Sequence, residues 1–296
     1  MTKTAMITIC GRPNVGKSTL TNALVGEKIA IVSPKPQTTR SRITAIVSHG
    51  DTQFVLLDTP GFHKPRTRLG DYMVNVVRES VADVDCVLLL VEPIPSVGPQ
   101  EEALIERLRQ AKVPALLVIN KIDTVDKAGL LEVMAVYAAA FDFDAILPVS
   151  AKTGDGLDEL LAEMEKYAAE GPHLFPDDMI TDQPERQICA ELVREKLLRC
   201  LDREIPHGTA VEVTKFSERE NGIVDLEVTI FCEKESHKGI IIGKKGAMLK
   251  KIGELARHDI EDFLGTKVNL QTWVKVRENW RDSMASLRNF GYSDQS

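Results

Sequence analysis

The chain has 296 residues, a formal net charge of −7, 43% apolar residues and 27% charged residues. That length predicts two domains rather than one core, and the acidic balance excludes wholesale coating of nucleic acid while leaving room for a local basic site. No apolar run approaches membrane-spanning length, Gly11 and Arg12 break up the one apolar stretch that could serve as a secretion signal, and five cysteines without a C-x-x-C pair fit a reducing compartment.

From Met6 to about Ala169, short apolar runs alternate with amphipathic ones. The pattern predicts strands over Met6–Cys10, Ile43–Ser48, Gln53–Leu57, Cys86–Val91, Ala115–Ile119 and Ala145–Val149. It predicts helices over Lys17–Val25, Leu69–Ala82, Gln100–Ala111, Ala128–Phe141 and Leu157–Ala169. Cys86–Val91 and Ala115–Ile119 are apolar throughout, as parallel strands covered on both faces should be. Residues 49–52 read as a hairpin turn, so an α/β sheet, mostly parallel with one antiparallel edge strand, is expected.

Between the first strand and first helix stands Gly11-Arg12-Pro13-Asn14-Val15-Gly16-Lys17-Ser18, a phosphate-loop spacing in its required strand–loop–helix setting. The glycines let backbone N–H groups turn inward onto phosphate oxygens, and the helix adds the positive end of its dipole. Lys17 would neutralise the outer phosphates and the Ser18 hydroxyl would ligate Mg²⁺. In the loop that follows the first helix, a threonine can close over Mg²⁺ when a γ-phosphate is present. Thr38 and Thr39 both qualify, with Thr39 favoured beside Arg40. Asp58-Thr59-Pro60-Gly61 ends the Gln53–Leu57 strand, where Asp58 can hold Mg²⁺ through water and the Gly61 N–H can meet a γ-phosphate.

Asn120-Lys121-Ile122-Asp123 closes the buried strand Ala115–Ile119. The Asp123 carboxylate suits the N1–H and N2–H₂ donors of guanine and would stand unpaired against adenine, a discrimination of roughly 10⁴-fold in sites built this way. Lys121 would lie along the base, and Asn120 would tie this loop to the phosphate loop. Ser150-Ala151-Lys152 closes the last strand, where the Ala151 N–H can reach guanine O6.

Gly171 to Asp178, with Pro172 and Pro176 and then Pro184, reads as a stiff connector. Domains are therefore expected over 1–170 and 185–296, with a linker over 171–184. The second half predicts a helix over Glu185–Leu201, strands over Thr209–Phe216 and Ile223–Cys232, a short apolar run Gly239–Ile242, a helix over Ala247–Leu264, a strand over Lys267–Val276 and a terminal helix over Trp280–Phe290. Gly243-Lys244-Lys245-Gly246 is a Gly-x-x-Gly loop between two helical stretches, suited to gripping a single-stranded backbone. Lys234, Lys238, Lys250, Lys251, Arg257, Lys267, Lys275, Arg277 and Arg281 add local positive charge. Trp273 falls on the polar face of its strand, and packing under the terminal helix is favoured over stacking on a base.

In order and on the expected elements, the first half carries the five motifs of a translation-factor-type GTPase and resembles the Era/TrmE-like GTPases. The second half resembles a type II KH domain. Nearly the whole chain resembles the Era family of ribosome-assembly GTPases, including His173-Leu174-Phe175-Pro176, Ile180-Thr181-Asp182 and Trp273-Val274-Lys275-Val276. The resemblance implies GTP and GDP as ligands, with Mg²⁺, and hydrolysis of GTP to GDP and phosphate. It implies bases laid on a groove floored by Ile240 and Ile242, with Gly243, Lys244, Lys245, Gly246 and Lys250 on the backbone. It further implies binding near the 3′ end of 16S ribosomal RNA during 30S maturation, a monomeric cytoplasmic chain, and a peripheral fraction at the inner membrane.

Phe62 stands where Ras-like enzymes place the glutamine that orients the attacking water, so slow intrinsic hydrolysis is expected. Asn14 raises the hypothesis, drawn from relatives, of a K⁺ ion standing where an arginine finger otherwise stands. Arg66 and Arg68 read as solvated residues rather than fingers. Two other classes remain open on the residues: a metabolic P-loop kinase, against which the guanine-reading motif argues, and a nucleotide-gated RNA-binding scaffold with negligible turnover, for which Phe62 argues.

Overall fold

The computed structural model describes residues 1–62 and 65–292. Two compact units emerge: Met1–Ala30, Thr39–Pro65 and Met73–Asp182 form one, while Ile31–Thr38, Arg66–Tyr72 and the chain from Gln183 onward form the other. The first unit is built from β1 (Lys3–Gly11), α1 (Lys17–Val25), β2 (Ile43–His49), β3 (Thr52–Asp58), α2 (Arg68–Glu79, whose first turn belongs to the second unit), β4 (Cys86–Val91), α3 (Pro99–Ala111), β5 (Ala115–Ile119), α4 (Lys127–Ala140), β6 (Ala145–Pro148), α5 (Leu157–Glu165) and β7 (Ala169–Glu170). Its strands run in the order β2-β3-β1-β4-β5-β6, with β7 also on β1. All neighbours on the main path are parallel except β2 on β3, so the expected mostly parallel sheet with an antiparallel edge strand is present.

Alternation along the central strands feeds two cores. Cys86, Leu88 and Leu90 of β4 join Leu116 and Val118 of β5 against α1 and α5, while Val87, Leu89 and Val91 join Leu117 and Ile119 against α3 and α4. With both faces covered, no position on β4 is free to be polar, which is why the run is unbroken. Parallel register then sets the strand ends in a row: Asp58 lies opposite Ile9, Gly11 opposite Leu90, Ile119 opposite Val91, and Pro148 opposite Ile119.

Three local expectations give way. The helix expected to reach Ala169 stops at Glu165, because Ala169 and Glu170 satisfy their backbone by antiparallel pairing with Thr4 and Lys3. The run Gly239–Ile242 is the end of a helix that begins at Glu235, in keeping with a Gly-x-x-Gly loop between two helical stretches. The Pro-rich stretch also lies against the first unit: Gln53 Oε1 accepts from the Leu174 and Phe175 N–H groups at 2.9 and 3.0 Å, and Ile46 N–H donates to Ile180 O at 2.9 Å.

The second unit contains α6 (Glu185–Cys200), β8 (Ala210–Glu218), β9 (Val224–Cys232), α7 (Glu235–Ile242), α8 (Ala247–Leu264), β10 (Val268–Val276) and α9 (Met284–Asn289). Its sheet order is β10-β9-β8, with β9 antiparallel to β8 and parallel to β10. That helix–strand–strand–helix–helix–strand order is the type II KH arrangement expected. One core joins Ile188, Val193 and Leu197 of α6 to Ile252, Ala256 and Ile260 of α8 and to the inner faces of the strands.

The third correction concerns tryptophan. Trp273 is 42% exposed on β10 rather than packed, whereas Trp280 is fully buried. The Trp280 ring meets Phe290 edge-on at 5.3 Å, and its Nε1–H donates to Gly208 O at 2.9 Å, so its one polar atom is satisfied inside the core. Trp280→Ala is therefore expected to cost the second unit about 3–5 kcal/mol. Trp273→Ala should stay within about 0.5 kcal/mol. Urea unfolding followed by circular dichroism checks both.

Candidate functional site

The phosphate loop leaves β1 at Gly11 and enters α1 at Lys17. Gly16 has φ +100°, and a Cβ there would lie 2.3 Å from the Asn120 side-chain nitrogen, so only glycine fits beneath that amide. Gly61 approaches from the other side, where a Cβ would meet Pro13 Cα at 2.8 Å. Arg12 and Pro13 are half-buried, Val15 is buried and Asn14 is exposed with φ +66°. Lys17 Nζ folds back on the loop, donating to Gly11 O at 3.1 Å and Arg12 O at 3.0 Å. Burial lowers its pKa, with Asp58 opposing that effect.

Three oxygen-bearing side chains converge beside it. Ser18 Oγ lies 2.7 Å from Asp58 Oδ2 and 2.8 Å from Thr39 Oγ1. Asp58 is fully buried, its carboxyl pushed up to about 6 by burial while Lys17 and the Ser18 hydroxyl pull it back. Its other oxygen, Oδ1, is buried without a hydrogen-bond partner. A carboxylate with an orphaned oxygen, joined through the Ser18 hydroxyl to a second hydroxyl on Thr39, suits a hard divalent cation, so Ser18, Thr39 and Asp58 fit Mg²⁺. Of the two candidate threonines, Thr39 joins this cluster, while Thr38 Oγ1 is turned to Lys35 O at 2.6 Å.

The base-side loops are fixed by one amide. Asn120 Nδ2 donates to Val15 O at 2.8 Å, and Asn120 Oδ1 accepts from the Ala151 N–H at 3.0 Å, joining three loops. Asp123 is exposed, and its Oδ1 accepts from Ser150 Oγ at 2.8 Å. Lys121, in a left-handed backbone conformation, donates to Asn14 O at 2.6 Å. Ile122 is half-buried and Lys152 exposed. Thr59 Oγ1 donates to Ile9 O at 2.8 Å and Pro60 is buried, which holds the turn carrying Gly61. The Phe62 N–H donates to Gly11 O at 3.1 Å, and the Arg107 guanidinium lies 4.4 Å from its ring centre. Sequence reasoning missed Arg107, and also Glu92 and Glu101, which meet Arg12. An acid ending the apolar strand β4 was the available signal for Glu92.

In the second unit the α7–α8 turn is Gly243-Lys244-Lys245-Gly246. Gly243 has φ +73°, and a Cβ there would meet Met248 Cβ at 2.7 Å. Lys244 and Lys245 are exposed. A groove of about 510 Å³ runs between α8 and β10, lined in part by Gly246, Leu249, Lys250, Gly253, Arg257 and Leu270. Gly246 and Lys250 thus stand on the groove, while Ile240 and Ile242 lie on α7 outside its lining. Its apolar floor is Leu249 and Leu270, legible only by combining the helical stripe of α8 with the inner face of β10.

A family model described as "50S ribosome-binding GTPase" matches residues 6–121, and one described as "KH domain" matches residues 204–281. A GTPase Era of Ruminiclostridium cellulolyticum is 51% identical over 290 residues, 98% of this chain and 97% of that one. The chain belongs to the Era family of GTPases. Among solved structures, a Tyr-to-Ala variant of Aquifex aeolicus Era bound to GDP·AlF₄⁻ is 37% identical with TM-score 0.94, covering 98% of this chain and 99% of that chain. Era in complex with MgGDPNP and nucleotides 1506–1542 of 16S ribosomal RNA is 37% identical with TM-score 0.93, covering 99% of this chain and 100% of that chain.

For this Era-family GTPase, Asp58→Asn removes the charge at the centre of the hydroxyl cluster. Stimulation of its GTP hydrolysis by Mg²⁺ is expected to fall by at least about 100-fold. Phosphate release measured across a Mg²⁺ titration checks this.

Proposed function

We propose that this Era-family protein is a slow GTP-hydrolysing switch that binds 16S ribosomal RNA near its 3′ end and assists 30S subunit assembly. Support comes from the guanine-reading and phosphate loops in one unit, the KH groove in the other, and the relative whose solved complex contains both MgGDPNP and 16S nucleotides 1506–1542. That relative favours the small subunit over the large one named in the family-model description.

The observation that carries the coupling is where the chain before Thr39 belongs. Ile31–Thr38 forms part of the KH-containing unit. Within it, the Val32 N–H donates to Glu195 Oε1 at 2.9 Å, Arg199 Nη2 donates to Val32 O at 2.9 Å, and the buried Arg194 guanidinium donates to Thr38 O. The very next residue is Thr39, whose hydroxyl lies 2.8 Å from that of Ser18. A γ-phosphate that recruits Thr39 would thereby pull on a segment anchored to α6, and Gly61 would add the second contact. In this reading Lys17 neutralises the outer phosphates, Ser18, Thr39 and Asp58 hold Mg²⁺, and Asp123 with Ala151 selects guanine. When bound, Mg²⁺ supplies Lewis-acid stabilisation of charge on the phosphate oxygens.

By linkage, RNA must tighten GTP binding by the factor with which GTP tightens RNA binding, typically about 5–150-fold. Fluorescent GTP-analogue titrations with and without a 16S 3′-end oligonucleotide measure this, and unchanged affinity would sink the coupling. Lys244→Glu with Lys245→Glu should abolish the RNA effect, with GDP binding as the folding control.

A second reading, a nucleotide-gated scaffold with negligible turnover, is favoured by Phe62, whose ring cannot orient water. The proposed K⁺ site at Asn14 separates the two. Turnover in KCl should exceed that in NaCl at equal ionic strength by about 10-fold or more if the cation replaces part of an arginine finger's effect. Equal rates would remove K⁺ from the proposal. The cytoplasmic, monomeric state with a peripheral fraction at the inner membrane is proposed on family membership. No helix among the described residues is long and apolar enough to cross a membrane.

A further inference from the structure

Glu92 directly follows β4, and no nucleotide-binding motif includes it. Its side chain is 24% exposed, and its two oxygens serve two different loops: Oε2 accepts from Arg12 Nη2 and Oε1 accepts from Lys121 Nζ. Arg12 is the second residue of the phosphate loop, and Lys121 is the lysine of the guanine loop. Each of the two side chains has a further tie. Lys121 Nζ donates to Asn14 O at 2.6 Å, and Arg12 Nε lies 3.0 Å from Oε1 of Glu101, whose side chain is 7% exposed.

We propose that Glu92 is a positioning residue for the nucleotide, holding Lys121 and Arg12 in place so that the phosphate and guanine loops are set before ligand enters. The inference rests on the guanine-site reading above. Asn120 already joins these loops, but its side-chain amide is committed to the Val15 carbonyl and the Ala151 N–H. Lysine and arginine stems lose much rotamer freedom when they are pinned, and that loss otherwise falls on binding. Two cations sharing a small space would also repel and swing toward water without the carboxylate between them. An exposed ion pair does little, but this carboxylate is three-quarters covered and spans both cations.

The cations that Glu92 holds belong to the phosphate and guanine loops, so its effect belongs to the part common to GDP and GTP. The expected signature is a change in residence time rather than in the chemical step. In full-length Glu92→Gln protein, dissociation of mant-GDP and of a mant-labelled non-hydrolysable GTP analogue should both accelerate about 10-fold. KM for GTP should rise by a similar factor, with kcat at saturation changed by less than about twofold.

The same substitution placed on Lys121→Met should change dissociation by less than about twofold, because its main base-side partner is already gone. Glu92→Asp keeps the charge on a shorter stem and should fall between wild type and Glu92→Gln; it carries the comparison if the glutamine variant does not fold. Unchanged dissociation in the single variants, or the same acceleration with and without Lys121, would overturn the proposal. A wild-type chain that prefers adenine to guanine nucleotides would instead overturn the guanine reading on which it rests.

Discussion

Parallel pairing of strands buried on both faces is the constraint from which the nucleotide site follows. Once β1, β3, β4, β5 and β6 run the same way in register, their carboxyl ends share one edge, and whatever follows them is gathered there. Gly11, Asp58, Glu92, Asn120 and Ser150 are far apart in the chain and become neighbours for that reason alone. The loops need no long excursions to meet. Short turns suffice, and glycine appears where two of those turns touch, at Gly16 under Asn120 and Gly61 against Pro13.

The chemistry at that edge is a balance of buried charge. Lys17 and Asp58 are each desolvated, and each pulls the other back toward its charged form. The loop carbonyls of Gly11 and Arg12 occupy Lys17, and Ser18 occupies one oxygen of Asp58. The second oxygen of Asp58 is left without a partner. A buried carboxylate in that condition is costly unless something positive arrives, so the site is built at the expense of its own stability. Glu92 does the reverse on the base side, where it brings two cations together and neutralises them.

Much of the fold was legible because its signals are local. Cys86–Val91 and Ala115–Ile119 matched their strands residue for residue, since a fully buried strand tolerates no polar position. Lys17–Val25 matched because Gly16 and Gly26, both left-handed, punctuate the helix at each end. The phosphate, guanine and Gly-x-x-Gly loops were legible for the same reason: each needs contiguous residues in a fixed conformation. The misses lie where the deciding partner is distant in sequence. Residues 166–169 left the expected helix, the last of them for pairing with β1, Trp273 stayed exposed where packing was expected, and the groove between α8 and β10 has its apolar floor on Leu249 and Leu270.

The sequence by itself determined the chemistry that short segments can hold: phosphate cradle, guanine selectivity, a lysine-bearing turn, and the α/β and KH element order. Only the tertiary structure separated Thr39 from Thr38, because the distinction is which hydroxyl reaches Ser18 and which turns to Lys35. It alone assigned Ile31–Thr38 to the KH-containing unit, through Glu195, Arg194 and Arg199 more than 150 positions away. Contiguous motifs are written by backbone conformation, which is local. Ion pairs and shared carboxylates are written by proximity, which exists only after the strands have aligned.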